Sequence, residues 1–142
     1  MDSYWGMSSG AEGLAKIVAK HTGEDGQTYD GLKIFSLAND GDEKVLAGLK
    51  EYTDSLAVQI YNLNIYLDLD IIAIGGGISK QPLLLDDLRR VYAGLFASRG
   101  ESPYMIGLPR CEIVPCHFSS EANQVGALYT LSLIHISEPT RP

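Results

Sequence analysis

A run of three glycines followed by a hydroxyl residue is the part of this sequence best suited to ligand chemistry: Gly75, Gly76, Gly77 and Ser79. Glycine has no Cβ atom, so three in a row allow a ligand to lie directly against the main chain. Backbone N–H groups close to the start of a helix are favourable for binding a phosphate. The hydroxyl of Ser79 and the ammonium of Lys80 are suited to reach a ribose or a phosphate. The segment predicts a nucleotide-binding turn in an α/β protein, and the alternative is a close-packed strand-to-helix turn without a ligand.

Two better-known phosphate-binding patterns do not match the glycine run. A P-loop ends in Gly-Lys-Ser/Thr, but here Ser79 comes before Lys80. The dinucleotide fingerprint Gly-x-Gly-x-x-Gly would need a third glycine at the position of Lys80. The turn is therefore interpreted from its own residues and from its neighbours along the chain.

A buried strand and two long helices are predicted to position the glycine turn. The apolar run over residues 70–74 lacks polar alternation, which is typical of a strand buried on both faces of a parallel sheet. After the turn, apolar residues at helical spacing predict a helix over residues 81–96. Before the turn, a long core helix from Asp42 onward is predicted by apolar residues three or four positions apart: Val45, Leu49, Tyr52, Leu56, Ile60, Leu63 and Leu67.

The remaining predicted elements are three shorter helices and one strand. Serine hydroxyls are favourable N-caps, so Ser8 or Ser9 is expected to cap the first helix and Ser119 the last. The first helix is expected to end near His21. The other predicted elements are helices over residues 32–38 and 121–129 and a strand over residues 112–114.

A series of short motifs follows in order along the chain: Gly41-Asp42, Leu56-Ala57, Asn62-Leu63, Leu67-Asp68, Gly75-Gly76-Gly77, Val114-Pro115-Cys116, Ala122-Asn123 and Gly126-Ala127-Leu128. Their order resembles the ROK family, whose name joins repressor, open reading frame and kinase. The resemblance extends over about residues 9–131 and is most specific around the triple glycine. It implies an α/β fold, namely a partial C-terminal lobe of an actin-like (ribonuclease H-like), two-lobed sugar kinase with ATP in the cleft between the lobes.

The resemblance also implies a function for the glycine turn. In this family the turn contacts the nucleotide, which maps to Gly75, Gly76 and Gly77, with Ser79 beside them. The chain is then expected to be a fragment of a cytoplasmic, ATP-dependent, glucokinase-like kinase that phosphorylates a hexose or glycoside. Such a parent protein uses Mg²⁺ with ATP and is expected to form homo-oligomers. The alternative is the sugar-sensing C-terminal part of a ROK-type transcriptional repressor, and an unrelated α/β binding module with a glycine turn is a third.

Several functional groups of the ROK family are not found in this sequence. These are the Asp-x-Gly-Gly-Thr phosphate loop, the catalytic aspartate of an Asn-Asp pair, and a zinc site of histidine and cysteine with a nearby sugar-binding glutamate. By its distance from Ser9, the place of that glutamate falls near Trp5, so either this branch has lost the site or the alignment shifts there. No catalytic residue and no metal ligand is therefore predicted within the chain, and its residues do not indicate which sugar is used.

Length, charge and cysteine content restrict the class of protein. The 142 residues are 45% hydrophobic, which is enough for one core. The formal charge of −7 disfavours direct contact with nucleic acid. The chain has no run of about eighteen apolar residues and so predicts no membrane span. Its two cysteines, Cys111 and Cys116, are expected on opposite faces of a strand as reduced thiols that do not share a metal.

The end of the chain is predicted to be foreign to the domain. Residues 132–142 resemble the in-frame translation of a sequencing adapter, whereas residues 1–131 are assigned to the lobe segment. Pro139 and Pro142 break regular structure. The tail is therefore expected to be disordered and non-native.

Overall fold

The computed structural model describes residues 9–99, 107–118 and 121–137 of the chain. Within these residues the protein is mostly helical and contains a small parallel sheet, which confirms the predicted α/β class. The helices are α1 Ala11–Thr22, α2 Gly31–Asn39, α3 Glu43–Leu67, α4 Pro82–Arg99 and α5 Ala122–Ser137. The strands are β1 Ile71–Ile74 and β2 Glu112–Pro115, and the 3₁₀ turns are Gly26–Thr28 and Gly77–Lys80.

The long helix α3 is confirmed and forms the centre of the core. The carboxylate of Asp42 caps it by accepting hydrogen bonds from the backbone N–H groups of Lys44 and Val45, both at 3.0 Å. The apolar stripe is buried along most of α3, but Leu63 and Leu67 are 38% and 61% exposed, so their prediction as core residues is wrong. The steps of three and four residues already follow the 3.6-residue turn of a helix, so the exposure of these two leucines depends on what packs against the end of α3 and not on their spacing. In the last turns of α3 the buried face of the helix consists of Ile60, Tyr61 and Asn64.

Helices α1 and α3 pack in close contact. A Cβ atom built on Gly48 of α3 would lie 2.9 Å from the Cα of Val18 on α1. At the end of α1, the Glu51 carboxylate lies 2.7 Å from His21 Nε2 and 3.0 Å from Lys20 Nζ. Hydrogen bonds hold the pKa of Glu51 below its ordinary value, and the bond with His21 has a larger effect than the bond with Lys20. The glycine thus allows the close approach, and the charged cluster joins the two helices beside it.

The predicted serine cap of α1 is wrong. Gly10 occupies the N-cap position and makes no side-chain hydrogen bond to the helix. The carbonyl of Ser9 instead accepts a hydrogen bond from the hydroxyl of Tyr52 on α3. Ser8 and the other predicted cap, Ser119, lie outside the described residues.

The predicted strands form a parallel pair. Ile71 of β1 is in register with Glu112 of β2, and Ile74 with Pro115. Helix α4 lies between the two strands in sequence, as a parallel connection requires. The expected burial of β1 on both faces is wrong, because Ile71 is 57% exposed whereas Ile72 on the opposite face packs against the core. In the described part of the chain, helices cover one face of this strand.

Helices α4 and α5 differ in burial. The apolar face of α4 is in the core, where Phe96 meets Tyr61 and Tyr92 edge to face at centroid distances of 4.9 and 5.1 Å.

Helix α5 continues to Ser137, so both its predicted end at residue 129 and the expected disorder of residues 132–137 are wrong. The chain has no proline between Ala122 and Ser137 to stop the helix. The foreign origin of residues 132–142 stays a prediction, and residues 138–142 lie outside the described part.

The two cysteines flank strand β2 and do not lie on opposite faces of it as predicted. Cys111 is buried beside the hydroxyl of Tyr92 at 3.1 Å, Cys116 is half-buried at the other end of β2, and neither forms a disulfide. The described residues contain no group of three or more histidine, cysteine or acidic side chains placed to hold a metal ion. None of the helices in the described ranges is long and apolar enough to cross a membrane.

Candidate functional site

The glycine turn has a backbone conformation that depends on glycine at one position. Gly76 has φ 79° and ψ −178°, a region that residues with a Cβ atom essentially do not occupy. Gly77 does not share the positive φ. Cβ atoms built on Gly76 and Gly77 would meet no atom within 4 Å. The space above both residues is therefore open, and a side chain at either position would project into it.

The buried residue Ser79 stabilises this turn by hydrogen bonds to Gly76. It is 2% exposed, and its hydroxyl donates a hydrogen bond of 2.8 Å to the carbonyl of Gly76. Its backbone N–H lies 3.2 Å from the same carbonyl oxygen. These bonds keep the Gly76 peptide in place. A direct contact between Ser79 and a ligand stays a prediction.

The three glycines line an open cleft of about 490 Å³. This volume lies in the range of about 300–1,000 Å³ that is usual for small-molecule sites. The turn forms one wall, and the starts of α1 and α2 form the others. The residues that line the cleft are Ser9, Gly10, Ala11, Asp30, Gly31, Leu32, Phe35, Gly75, Gly76, Gly77, Ile78 and Gln81.

The walls opposite the glycine turn combine polar and apolar groups. The Asp30 carboxylate caps α2 by accepting the N–H of Lys33 at 2.8 Å. Leu32 follows in the first turn of α2 and is 81% exposed, which is unusual for a large apolar side chain. An apolar surface facing a turn of exposed peptide groups is suited to a ligand with a flat apolar part and a charged part.

The sequence predicted one wall of this cleft and missed the other two. Gly75, Gly76 and Gly77 line the cleft, whereas Ser79 lies beneath it, and nucleotide binding by these four residues stays a prediction. The residues of α1 and α2 that line the cleft precede the turn by forty positions or more, so no local pattern connects them with it. The one local signal was an aspartate before a glycine at residues 30–31, a typical helix start that carries no information about a ligand.

Comparison with known proteins gives a consistent result. Residues 7–132 match the model of the ROK family. A 56-residue segment is 39% identical to N-acetyl-D-glucosamine kinase of Shigella boydii serotype 4, covering 39% of this chain and 18% of that protein. N-acetyl-D-glucosamine kinase of Escherichia coli strain K12 is 38% identical over a segment of the same length.

Two solved structures share the fold. A ROK family protein from Streptococcus pneumoniae, solved with sucrose, superposes with a TM-score of 0.76 at 20% identity, covering 94% of this chain and 44% of that one. A ROK family glucokinase from Streptomyces griseus, solved with glucose and AMPPNP, superposes with a TM-score of 0.73 at 17% identity and covers 89% and 43%. The chain thus spans less than half the length of these two structures.

Proposed function

Because this chain belongs to the ROK family and has its actin-like α/β fold, we propose that it forms the nucleotide-binding part of an ATP-dependent sugar kinase. The observation that carries the proposal is the cleft at the glycine turn, where the main chain of Gly76 and Gly77 is open to a ligand. The glucokinase of similar fold was solved with a sugar and an ATP analogue, which supports the same pair of substrates here. The sugar is proposed to be a hexose or a glycoside.

The chemistry of the cleft fits a nucleoside triphosphate as substrate. The glycine turn presents peptide groups without side chains to the phosphates, and the exposed Leu32 offers an apolar surface to the base. Mg²⁺ would enter with ATP, since protein sites for this ion usually rely on the substrate phosphates and one or two carboxylates. The chain contributes the binding and orientation of the nucleotide.

The reaction is proposed to transfer the γ-phosphoryl group of ATP to a hydroxyl of the sugar. Positioning and charge stabilisation account for most catalysis in such transfers, and a general base accepts the proton of the attacking hydroxyl. The base is proposed to be an aspartate of the parent protein outside this sequence. The parent protein is proposed to be cytoplasmic, because ATP and phosphorylated sugars are intracellular metabolites. It is also proposed to form homo-oligomers. This segment, with a formal charge of −7, is proposed to make no direct contact with nucleic acid.

Titration of the chain with AMPPNP and Mg²⁺, followed by the amide signals in NMR spectra, tests this proposal. Gly76→Val should abolish or strongly weaken binding, because the valine side chain would occupy the open space above the turn. Gly23→Val is the matched control: Gly23 also has a positive φ, 80°, and open space around it, but it ends α1 away from the cleft. Both variants are expected to lose ~1–3 kcal/mol of stability through backbone strain.

The outcomes separate the alternatives. Binding that is lost in Gly76→Val and retained in Gly23→Val supports the nucleotide site. Equal affinity of Gly76→Val and the unmutated chain would mean that the glycines serve only the backbone conformation of the turn. If the unmutated chain shows no binding to AMPPNP, the kinase proposal fails and the sugar-sensing part of a repressor becomes the better explanation.

A further inference from the structure

A hydrogen bond from the buried side chain of Tyr52 reaches the rim of the cleft. Tyr52 lies in the middle of α3 with 1% of its surface exposed. Its hydroxyl donates to the carbonyl of Ser9, a residue 43 positions earlier in the chain. Ser9 and Gly10 both line the cleft and lead directly into α1. The buried side chain of Tyr52 thus fixes the Ser9 carbonyl, which is part of the cleft wall, from the core side through its hydroxyl.

Because the peptide group is planar, the hydrogen bond to the carbonyl of Ser9 also fixes the direction of the N–H of Gly10. In a trans peptide the carbonyl and the N–H of one unit point in opposite directions, and the described chain contains no cis peptide. The carbonyl of Ser9 points to the core, so the N–H of Gly10 points away from it. Gly10 is exposed, and a Cβ atom built on it would meet no atom within 4 Å. The N–H of Gly10 is therefore directed away from the core, on an exposed residue that lines the cleft.

No side chain of the N-cap residue stabilises this arrangement. Gly10 stands at the N-cap position of α1, where serine or aspartate would normally bond to the first turn. Glycine also leaves the main chain more freedom than any other residue. The Tyr52 hydroxyl compensates for that freedom by holding the adjacent peptide. Burial raises the pKa of Tyr52 to about 12, so its hydroxyl remains a protonated donor at physiological pH.

We infer that Tyr52 is a positioning residue of the nucleotide cleft, which holds the Ser9–Gly10 peptide so that the N–H of Gly10 donates a hydrogen bond to the bound nucleotide. The inference rests on the proposed function. Helix α3 also leads to β1 and, at the end of β1, to the glycine turn. One helix therefore connects to two walls of the cleft, through Tyr52 on one side and through β1 on the other.

Tyr52→Phe tests the inference, since it removes only the hydroxyl and retains the buried ring. Thr53→Val is the matched control: Thr53 is the next residue of α3, is also 1% exposed, and would lose a hydrogen bond of 2.6 Å to Asp87, outside the nucleotide cleft. AMPPNP affinity is measured for the unmutated chain and both variants by NMR titration, well below their melting temperatures. Tyr52→Phe should weaken binding about fivefold, as expected for a lost hydrogen bond, and Thr53→Val should leave affinity unchanged.

The amide signal of Gly10 provides a second readout that a purely structural role would not change. In the unmutated chain this signal should shift when AMPPNP binds, and the shift should be smaller in Tyr52→Phe. Gly10→Pro, which removes the N–H and leaves Tyr52 intact, should weaken AMPPNP binding to a similar degree. Equal affinities in Tyr52→Phe and the unmutated chain would overturn the inference alone, as would equal losses in Tyr52→Phe and Thr53→Val. Absence of binding by the unmutated chain would overturn the proposed function and the inference with it.

Discussion

Replacing Gly48 by alanine tests the close packing between α1 and α3. A Cβ atom at this position would lie 2.9 Å from the Cα of Val18 and 3.1 Å from its Cγ2. Carbon atoms are optimally ~3.5–4.0 Å apart, so the overlap is roughly 0.6–1 Å. The closest atom belongs to the main chain of a helix and cannot rotate away. Helix α1 would therefore have to move away from α3 as a whole.

The expected loss of stability follows from two opposing effects. Alanine is favoured over glycine within a helix by about 1 kcal/mol. Overpacking a core typically costs ~1–3 kcal/mol, and a clash with backbone belongs at the upper end of that range. The net destabilisation of Gly48→Ala is then ~1–2 kcal/mol. For a domain of this size, ~1 kcal/mol changes the melting temperature by roughly 4 °C, so a decrease of ~4–8 °C is expected.

Thermal denaturation followed by far-ultraviolet circular dichroism measures this change, and Gly94→Ala is its control. Gly94 lies on the exposed side of α4, and a Cβ atom there would meet nothing within 4 Å. Gly94→Ala should therefore raise the melting temperature by ~4 °C through helix propensity alone. Adding Val18→Ala to Gly48→Ala should not restore stability, because the closest contact is with the Cα of Val18. A melting temperature of Gly48→Ala at or above that of the parent would refute the reasoning.

Three further predictions concern activity, the end of the chain and alkaline pH. The chain alone should show no kinase activity, because a missing general base alone costs about 10²–10⁴-fold in rate; ADP release above background with glucose, N-acetylmannosamine or β-glucosides would contradict this. Deleting residues 132–142 should leave the melting temperature unchanged, because Leu131 and Leu133 near this end are 55% and 48% exposed; a loss above ~1 kcal/mol would show that the segment packs as native structure. Burial raises the pKa of Tyr52 from 10.0 to about 12, so its contribution to stability is complete below pH 10 and is lost as the pH rises to about 12. That loss is about 3 kcal/mol for two pKa units. Urea denaturation at a series of alkaline pH values should show a smaller decline in the free energy of unfolding for Tyr52→Phe than for the unmutated chain. An identical decline in both proteins would argue against the raised pKa of Tyr52.

Local patterns were sufficient to predict the elements that carry the glycine turn. The spacing of Val45, Leu49 and Tyr52 predicts α3, because one face of a long helix must be apolar to be buried. Asp42 marks the start of α3 through its capping carboxylate. The three glycines predict an open turn after β1, since only residues without Cβ leave the main chain accessible. The family and its fold were also recognised from these motifs, in agreement with the match over residues 7–132.

Long-range contacts decided the features that the sequence did not predict. The buried face of α3 shifts near its end, where Asn64 bonds the carbonyl of Pro109 at 2.7 Å. Ser9 was expected to cap α1 with its side chain, but its carbonyl bonds Tyr52 instead. The exposure of Ile71 depends on which face of β1 the helices cover, and an apolar run contains no information about that choice.

The sequence by itself thus determined the helices and strands, apart from the end of α5 and the cap of α1, and the position of the open glycine turn, because helix periodicity and the absence of Cβ atoms are local properties. Only the tertiary structure decided that the starts of α1 and α2 face this turn across a cleft. It also placed Ser79 beneath the turn and Tyr52 behind the cleft wall. These arrangements arise from packing between segments far apart in the chain, which depends on the shapes of both partners and leaves no pattern in either segment alone.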